Sequence, residues 1–359
     1  MLIKLVAIFI QQEEVVPLSN KEVLLEIKNL KTYFPTRGSK IGKKNYLKAV
    51  DDVSLTIYKG ETLGIVGESG SGKSTLGRTI LQLVKPTEGS IIFEDNHLKN
   101  LSGQTLQSFR NQMQMVFQDP FGSLNPRMKI GNIIEEPIKL QMKLSRAERK
   151  NRVKELIQKV GLSEEALNKY PHEFSGGQRQ RIGIARALSI NPKFIIADEP
   201  VSALDVSIQS QVLNLMMDLQ EEFNLTYLFI SHDLSVVKHI SDRVAVMYLG
   251  RIVEIATKES LYENPLHPYT KALLSAIPVV NFEEKREEIP ISGELPSNTN
   301  PPVGCAFHTR CPFAMEKCKN ERPLLKVVND NQQVACFLHD SERKVTSETS
   351  ETKKELVES

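Results

Sequence analysis

Apolar and polar positions alternate along residues 23–31, as they do in a strand with one buried face. Short, nearly continuous apolar runs predict further strands at residues 63–66, 113–117, 194–197, 227–230 and 244–248. Helical stretches separate these runs, for example residues 73–84 and 208–223. Alternating strands and helices predict an α/β fold with a parallel sheet covered on both faces.

A mainly helical stretch interrupts this pattern between residues 121 and 170. Within it, Val153, Leu156, Ile157 and Val160 follow the i, i+3, i+4, i+7 spacing of an amphipathic helix. We therefore predict a helical subdomain, residues 121–186, inserted into a domain that spans residues 23–262.

The chain changes character after residue 262. A proline-punctuated segment holds all four cysteines, and we predict a small extension at residues 263–340. The last residues, 341–359, are mostly Ser, Thr, Glu and Lys and are predicted to be disordered. Residues 1–22 are predicted to form an N-terminal arm rather than a signal peptide, because no small-residue cleavage site follows the apolar stretch.

Composition narrows the classes of function that the protein can have. The 46 Lys and Arg against 44 Asp and Glu give a net charge of +2, so no electrostatic argument favours nucleic acid as a partner. No apolar run reaches the roughly 18–20 residues of a membrane-spanning helix. A cysteine cluster in such a chain is more typical of metal binding than of disulfides.

The strongest chemical signal is the loop GESGSGKST at residues 67–75, which follows a predicted strand and precedes a predicted helix. Glycines let successive backbone N–H groups point inward and cradle nucleotide phosphates. Lysine reaches the β- and γ-phosphates, and the serine after it can ligate Mg²⁺. The nucleotide-binding residues predicted here are Gly67, Ser69, Gly70, Gly72, Lys73, Ser74 and Thr75.

A second signal is the apolar strand at residues 194–197, which ends in Asp198 and Glu199. Asp198 is predicted to hold Mg²⁺, directly or through water. Glu199 is placed to orient or deprotonate an attacking water.

A third signal is FSGGQRQ at residues 174–180, a serine and two glycines that open a helix. It resembles the signature sequence of ATP-binding-cassette (ABC) ATPases, with Phe174 in place of the usual Leu. Gln118 matches the glutamine of that family's Q-loop, Asp205 the aspartate of its D-loop, and His232 its switch histidine. The resemblance covers residues 23–278.

This resemblance implies a P-loop NTPase core of the ABC ATPase type, with an antiparallel β subdomain, the inserted helical subdomain and the small cysteine-containing extension. It implies ATP and Mg²⁺ as cofactors, with Gln118 joining Ser74 and Asp198 near the metal. Tyr33, or Phe34 beside it, would stack on adenine. Signature residues of one subunit would cap the γ-phosphate held by a second: Ser175, Gly176, Gly177 and Gln178. Glu199 and His232 would complete the hydrolytic site.

The motifs at residues 47–51, 117–126, 266–278 and 302–312 resemble oligopeptide/dipeptide importer ATPases, specifically the F-type subunit with its C-terminal extension. That implies ATP hydrolysis energising peptide import by a peripheral protein on the cytoplasmic face of the bacterial membrane. Implied partners are a D-type ATPase (or a second copy), two transmembrane permeases and, indirectly, an extracytoplasmic peptide-binding protein.

Two alternatives stay open. A soluble cassette ATPase acting on nucleic acid or ribosomes would show coiled-coil arms, tandem cassettes or a basic face, none of which the sequence predicts. An iron–sulfur sensor is the other. Within transport, a non-peptide cargo such as a nickel chelate also remains open.

Five, six and seventeen residues separate Cys305, Cys311, Cys318 and Cys336. Four thiolates can hold a [4Fe–4S] cluster or a Zn²⁺ ion. Structural zinc sites usually pair cysteines two to four residues apart, a spacing that is missing here. The family resemblance also points to a [4Fe–4S] cluster, with free thiols as the alternative. A structural role is predicted for either metal.

Overall fold

The computed structural model describes residues 21–36, 45–276 and 293–340. Most of the predicted arm and all of the predicted tail lie outside these residues. The described strands, in chain order, are β1 Val23–Pro35, β2 Tyr46–Tyr58, β3 Thr62–Val66, β4 Glu88–Phe93, β5 Asn96–His97, β6 Met113–Val116, β7 Phe194–Asp198, β8 Thr226–Ile230, β9 Arg243–Tyr248, β10 Arg251–Thr257, β11 Lys326–Asn329 and β12 Gln332–Val334.

The described helices occupy the predicted stretches, such as residues 73–84 and 208–223, and also segments where none was predicted, such as residues 103–112 and 316–320. They are α1 Lys73–Ile80, α2 Gly103–Gln112, α3 Pro120–Ser123, α4 Ile130–Gln141, α5 Arg146–Lys159, α6 Gly176–Leu188, α7 Val206–Phe223, α8 Leu234–Ile240, α9 Lys258–Glu263, α10 Pro268–Ser275 and α11 Glu316–Asn320. No described helix is long and apolar enough to cross a bilayer.

The central sheet has the strand order β11-β12-β10-β9-β3-β8-β7-β6. The β9-β3-β8-β7-β6 part is parallel. Strands β3, β7, β8 and β9 are buried along their whole length, as their apolar runs predict. Since the carboxyl ends of parallel strands meet at one edge, the loops after β3, β7 and β8 come together there. The predicted α/β P-loop architecture is confirmed.

A second, antiparallel sheet has the order β2-β1-β4-β5 and confirms the predicted antiparallel part. Its apolar face packs in one core with α1 and the central sheet, through residues such as Ile27, Val53, Leu76 and Ile196. This packing brings β2 alongside the loop that opens α1.

Helices α4, α5 and α6 enclose an apolar core of their own, which merges with that of the central sheet. Ser145 begins α5 through a reciprocal capping box with Glu148. Val153, Leu156, Ile157 and Val160 are all buried, so the predicted amphipathic face is confirmed.

The extension departs from the loop-rich prediction. Strands β11 and β12 form a hairpin, and β12 pairs antiparallel with β10. With four and three residues, these strands are too short to show a periodic pattern. The extension therefore completes one edge of the central sheet.

Candidate functional site

The glycine loop lies between β3 and α1, as predicted. Gly67, Gly70 and Gly72 all have positive φ, which is strained for residues with side chains. A Cβ on Gly72 would lie 2.0 Å from the Ala49 carbonyl oxygen, so only glycine fits there. The loop is therefore held against β2.

Lys73 is the first residue of α1 and is 5% exposed. Its ammonium donates to the carbonyl oxygens of Gly67 at 2.7 Å and Glu68 at 3.1 Å. Burial lowers the pKa of Lys73, while the negative charges of Glu199, Asp198 and Glu68 oppose that shift. A cation is thus held inside the curl of the loop, where phosphates would lie.

Ser74 and Asp198 meet across the sheet edge. The Ser74 hydroxyl donates to Asp198 Oδ1 at 2.6 Å, and Asp198 is 1% exposed. Burial raises the pKa of Asp198, while the bond from Ser74 and the charge of Arg78 oppose that rise. Hydroxyl and carboxylate oxygens are the ligands Mg²⁺ prefers, so these two residues fit a magnesium site.

The two other predicted catalytic residues, Gln118 and His232, both contact Glu199. Gln118 Nε2 donates to Glu199 Oε2 at 2.9 Å, and His232 Nδ1 lies 3.1 Å from the same oxygen. Glu199 has φ 47°, a left-handed conformation that non-glycine residues rarely adopt. Three segments that follow three different strands therefore converge on one carboxylate.

A cavity of about 700 Å³ connects these groups. Lys73, Gln118, Glu199 and His232 border it together with the glycine loop. Leu47 and Ala49 of β2 line it too, as do residues 295, 296 and 298 of the extension. The volume suits a nucleotide-sized ligand.

The two adenine candidates face different ways. The Tyr33 hydroxyl donates to Asp51 Oδ1 at 2.5 Å, and Tyr33 does not line the cavity. Phe34 pairs with Leu47, which does line it. Paired residues of an antiparallel ladder share a face, and successive residues alternate faces. Phe34 does not line the cavity either, so stacking of adenine on Tyr33 or Phe34 stays a prediction.

The signature residues lie at the start of α6, outside this cavity. Ser175 caps the helix by accepting from the Gln178 backbone N–H, and the Gln178 side chain accepts from the Ser175 N–H. A Cβ on Gly176 would lie 3.2 Å from the Leu204 side chain, so the signature adjoins the D-loop. Asp205 is exposed at the start of α7. Their predicted action on a second subunit's nucleotide stays a prediction.

Sequence reasoning missed three residues of the extension that contact the glycine loop. The Tyr269 hydroxyl accepts from the Glu68 N–H at 2.9 Å, and Asn298 Nδ2 donates to the Gly70 carbonyl at 2.8 Å. The Arg310 guanidinium bonds both carboxylate oxygens of Glu68. Tyr269 and Arg310 lie within the motifs at residues 266–278 and 302–312, whereas Asn298 lies outside both and had no signal.

The four cysteines are free thiols of the extension. The Cys305 N–H donates to the Cys318 carbonyl at 2.8 Å. Burial raises the pKa of Cys305 to about 11 and that of Cys336 to about 12, and the neighbouring thiols add to both shifts. Over residues 21–36, 45–276 and 293–340, however, no three His, Cys, Asp or Glu side chains are arranged to hold a metal ion. The described residues therefore support neither the predicted [4Fe–4S] cluster nor the alternative Zn²⁺ site.

Comparison with known proteins agrees with this geometry. The ABC transporter family model matches residues 50–202, and the model "Oligopeptide/dipeptide transporter, C-terminal region" matches residues 253–318. A dimeric ATP-binding cassette solved in a post-hydrolysis state with ADP and phosphate is 31% identical, with a TM-score of 0.59. The match covers 66% of this chain and 99% of that one.

Curated relatives extend the match. The oligopeptide transport ATP-binding protein AppF of Bacillus subtilis is 59% identical, covering 89% of this chain and 99% of its own. The dipeptide transport ATP-binding protein DppF of Haemophilus influenzae is 52% identical, covering 88% and 96%. The chain belongs to the ABC transporter ATP-binding proteins, and among them to the group that carries the oligopeptide/dipeptide transporter C-terminal region. It is an ABC-type ATPase.

Proposed function

We propose that this protein hydrolyses ATP to energise the import of oligopeptides or dipeptides across a bacterial cytoplasmic membrane. The observation that carries the catalytic part is the convergence of Gln118 and His232 on Glu199 beside Lys73. Relatives named for oligopeptide and dipeptide transport, together with the matched C-terminal region, support the cargo class.

The residues divide the chemistry among them. Lys73 and the loop N–H groups bind the β- and γ-phosphates, and Ser74, Asp198 and Gln118 would hold Mg²⁺. That ion, when bound, neutralises charge on the phosphates. Glu199 orients the attacking water or accepts its proton, while Gln118 and His232 fix the carboxylate. Phe34 offers an aromatic face to adenine.

The proposed assembly is supported by the signature at the start of α6, where Ser175 and Gly176 are exposed. Ser175, Gly176 and Gly177 cap the γ-phosphate of a nucleotide held by a partner ATPase, either a D-type homologue or a second copy. Two permeases hold the pair at the cytoplasmic face, and a peptide-binding protein delivers cargo from outside.

Contacts beside Gln118 suggest how the helical subdomain transmits the state of the site. The Arg179 guanidinium lies 5.0 Å from the Phe121 ring centroid, and Arg186 donates to the Ser123 carbonyl at 2.5 Å. Both arginines belong to α6, so the segment after Gln118 is fastened to the signature helix. We expect crosslinks from residues 121–170 to a permease; crosslinks confined to the extension would contradict this docking site.

Uptake in cells tests the proposal. Cells that lack this gene, but keep the rest of the transporter, should fail to accumulate a labelled tripeptide. Wild-type chain should restore uptake, and Lys73→Ala should not, because the phosphate-binding cation is gone. Lys85→Ala removes an exposed lysine and is the matched control. Uptake of a labelled nickel chelate instead of peptide would contradict the cargo class.

We also propose that the four thiols hold a [4Fe–4S] cluster. Four free cysteines in one extension, with the Cys305 N–H bonded to the Cys318 carbonyl, support it. Anaerobically purified protein should be brown, with about four irons per chain. A colourless protein with one zinc per chain would show that zinc, and not the cluster, is bound by the thiols. A folded protein free of metal would refute both metals.

A further inference from the structure

A residue of the extension reaches the phosphate-binding loop. Arg310 NH1 donates to Glu68 Oε2 at 2.9 Å, and NH2 donates to Glu68 Oε1 at 3.1 Å. The two residues are 242 positions apart. Two parallel bonds from one guanidinium fix a carboxylate in orientation as well as position.

The pair is shielded from water. Arg310 is 9% exposed, and the Glu68 side chain is 24% exposed. The Tyr248 ring centroid lies 5.8 Å from the guanidinium carbon, and the Tyr248 hydroxyl accepts from NH1 at 3.4 Å. Breaking such a pair leaves a charge without its partner, which costs far more than losing a surface ion pair.

Glu68 belongs to the loop that binds phosphate. Its carbonyl accepts from Lys73 Nζ at 3.1 Å and from the Ser71 N–H at 3.1 Å. Its own N–H donates to the Tyr269 hydroxyl, and Asn298 holds Gly70 two residues on. Moving Glu68 would therefore shift the lysine and the N–H groups beside it.

We propose that Arg310 is a positioning residue for ATP binding. Through Glu68 it holds the phosphate-binding loop in the shape that receives the β- and γ-phosphates. The extension is then part of the ATP site. This inference depends on nucleotide binding at Lys73 and not on the transported cargo.

A double-mutant cycle tests it on the full chain. Arg310→Gln and Glu68→Gln should each weaken Mg-ATP binding about tenfold in calorimetry. The double variant should also lose about tenfold, not a hundredfold, because either change removes the same interaction. Glu68→Gln lies outside the cysteine segment, so it separates loop positioning from any change in metal content.

Arg322→Gln is the matched control. Arg322 belongs to the same extension and pairs with Asp52 at 3.2 Å, away from the phosphate loop. It should lower the melting temperature less than Arg310→Gln does, because its ion pair is more exposed, and it should leave the Kd for ATP within about twofold. If Arg310→Gln fails to fold, Glu68→Gln alone decides the test. An unchanged Kd in a folded single variant, or losses that add in the double variant, would overturn the proposal.

Discussion

Ser74 and Asp198 lie 124 positions apart, yet the Ser74 hydroxyl donates to Asp198 Oδ1 at 2.6 Å. One follows β3 and the other ends β7, and β8 separates these strands in the sheet. The bond therefore joins the phosphate loop to the acidic strand end across the strand between them. These two oxygens would help to hold Mg²⁺.

Ser74→Ala should raise the Mg²⁺ concentration needed for half-maximal ATPase activity about tenfold or more, because one oxygen ligand is lost. Magnesium titration of the assembled transporter measures this. Ser210→Ala removes an exposed hydroxyl of α7 that bonds only to its own helix, and this variant should leave the titration unchanged. An unshifted curve for Ser74→Ala would remove Ser74 from the metal site.

Glu199→Gln should slow hydrolysis by a factor of about 10² to 10⁴ while retaining ATP binding, because the amide cannot accept the proton of water. Phosphate release and nucleotide retention, measured on the same sample, distinguish the two steps. Glu259→Gln removes a largely exposed carboxylate and serves as the control. Wild-type turnover in Glu199→Gln would refute the base assignment.

Phe34→Ala should weaken ATP binding by about 1–3 kcal/mol if its ring carries the adenine. Tyr33→Ala removes the other ring, whose hydroxyl bonds Asp51, and should leave ATP affinity nearly unchanged. Titration with a fluorescent ATP analogue compares the pair. The reverse ranking would restore Tyr33 as the adenine platform.

His267 gives a pH dependence. Burial lowers its pKa to about 3, with the charge of His339 adding to the shift. The unfolded chain binds this proton below about pH 6.5, while the folded chain stays neutral until about pH 3. Stability should therefore fall as pH drops through this window, by up to about 1.4 kcal/mol per pH unit from this group.

His267→Asn keeps a side-chain acceptor at the start of α10 and removes the titration. Denaturant unfolding between pH 7 and pH 4 should show a shallower loss for this variant. The difference between the two slopes isolates His267 from buried Glu254, whose pKa burial raises and whose contribution has the opposite sign. Equal slopes would show that His267 titrates normally.

Local chemistry made the core of the site predictable. Gly72 needs its left-handed φ, and Lys73 and Ser74 follow it at fixed spacing, so the loop is visible within nine residues. Asp198 and Glu199 were predictable because two adjacent carboxylates directly follow an apolar run typical of a buried strand. That Gln118 and His232 meet at Glu199 depends on the order of strands in the sheet, which the local sequence does not show. The family resemblance supplied that prediction instead.

Other features had no local signal. Tyr33 and Phe34 are adjacent aromatics, and only the pairing of β1 with β2 shows that Phe34 lies opposite Leu47 and Tyr33 opposite Lys48. The β11–β12 hairpin is polar and short, and it is stabilised mainly by the pairing of β12 with β10. In the sequence nothing distinguishes Arg310 from other basic residues, because its carboxylate partner, Glu68, lies in a distant part of the chain.

The hairpin sets an order of events during synthesis. Strand β10 ends at Thr257, and its partner β12 begins at Gln332, so β10 leaves the ribosome long before the strand that covers it. At bacterial elongation rates the gap is on the order of ten seconds. During that time β10 offers unpaired backbone groups that can template aggregation. Synthesis of the extension thus ends the period during which β10 of the nascent chain could pair with a wrong strand.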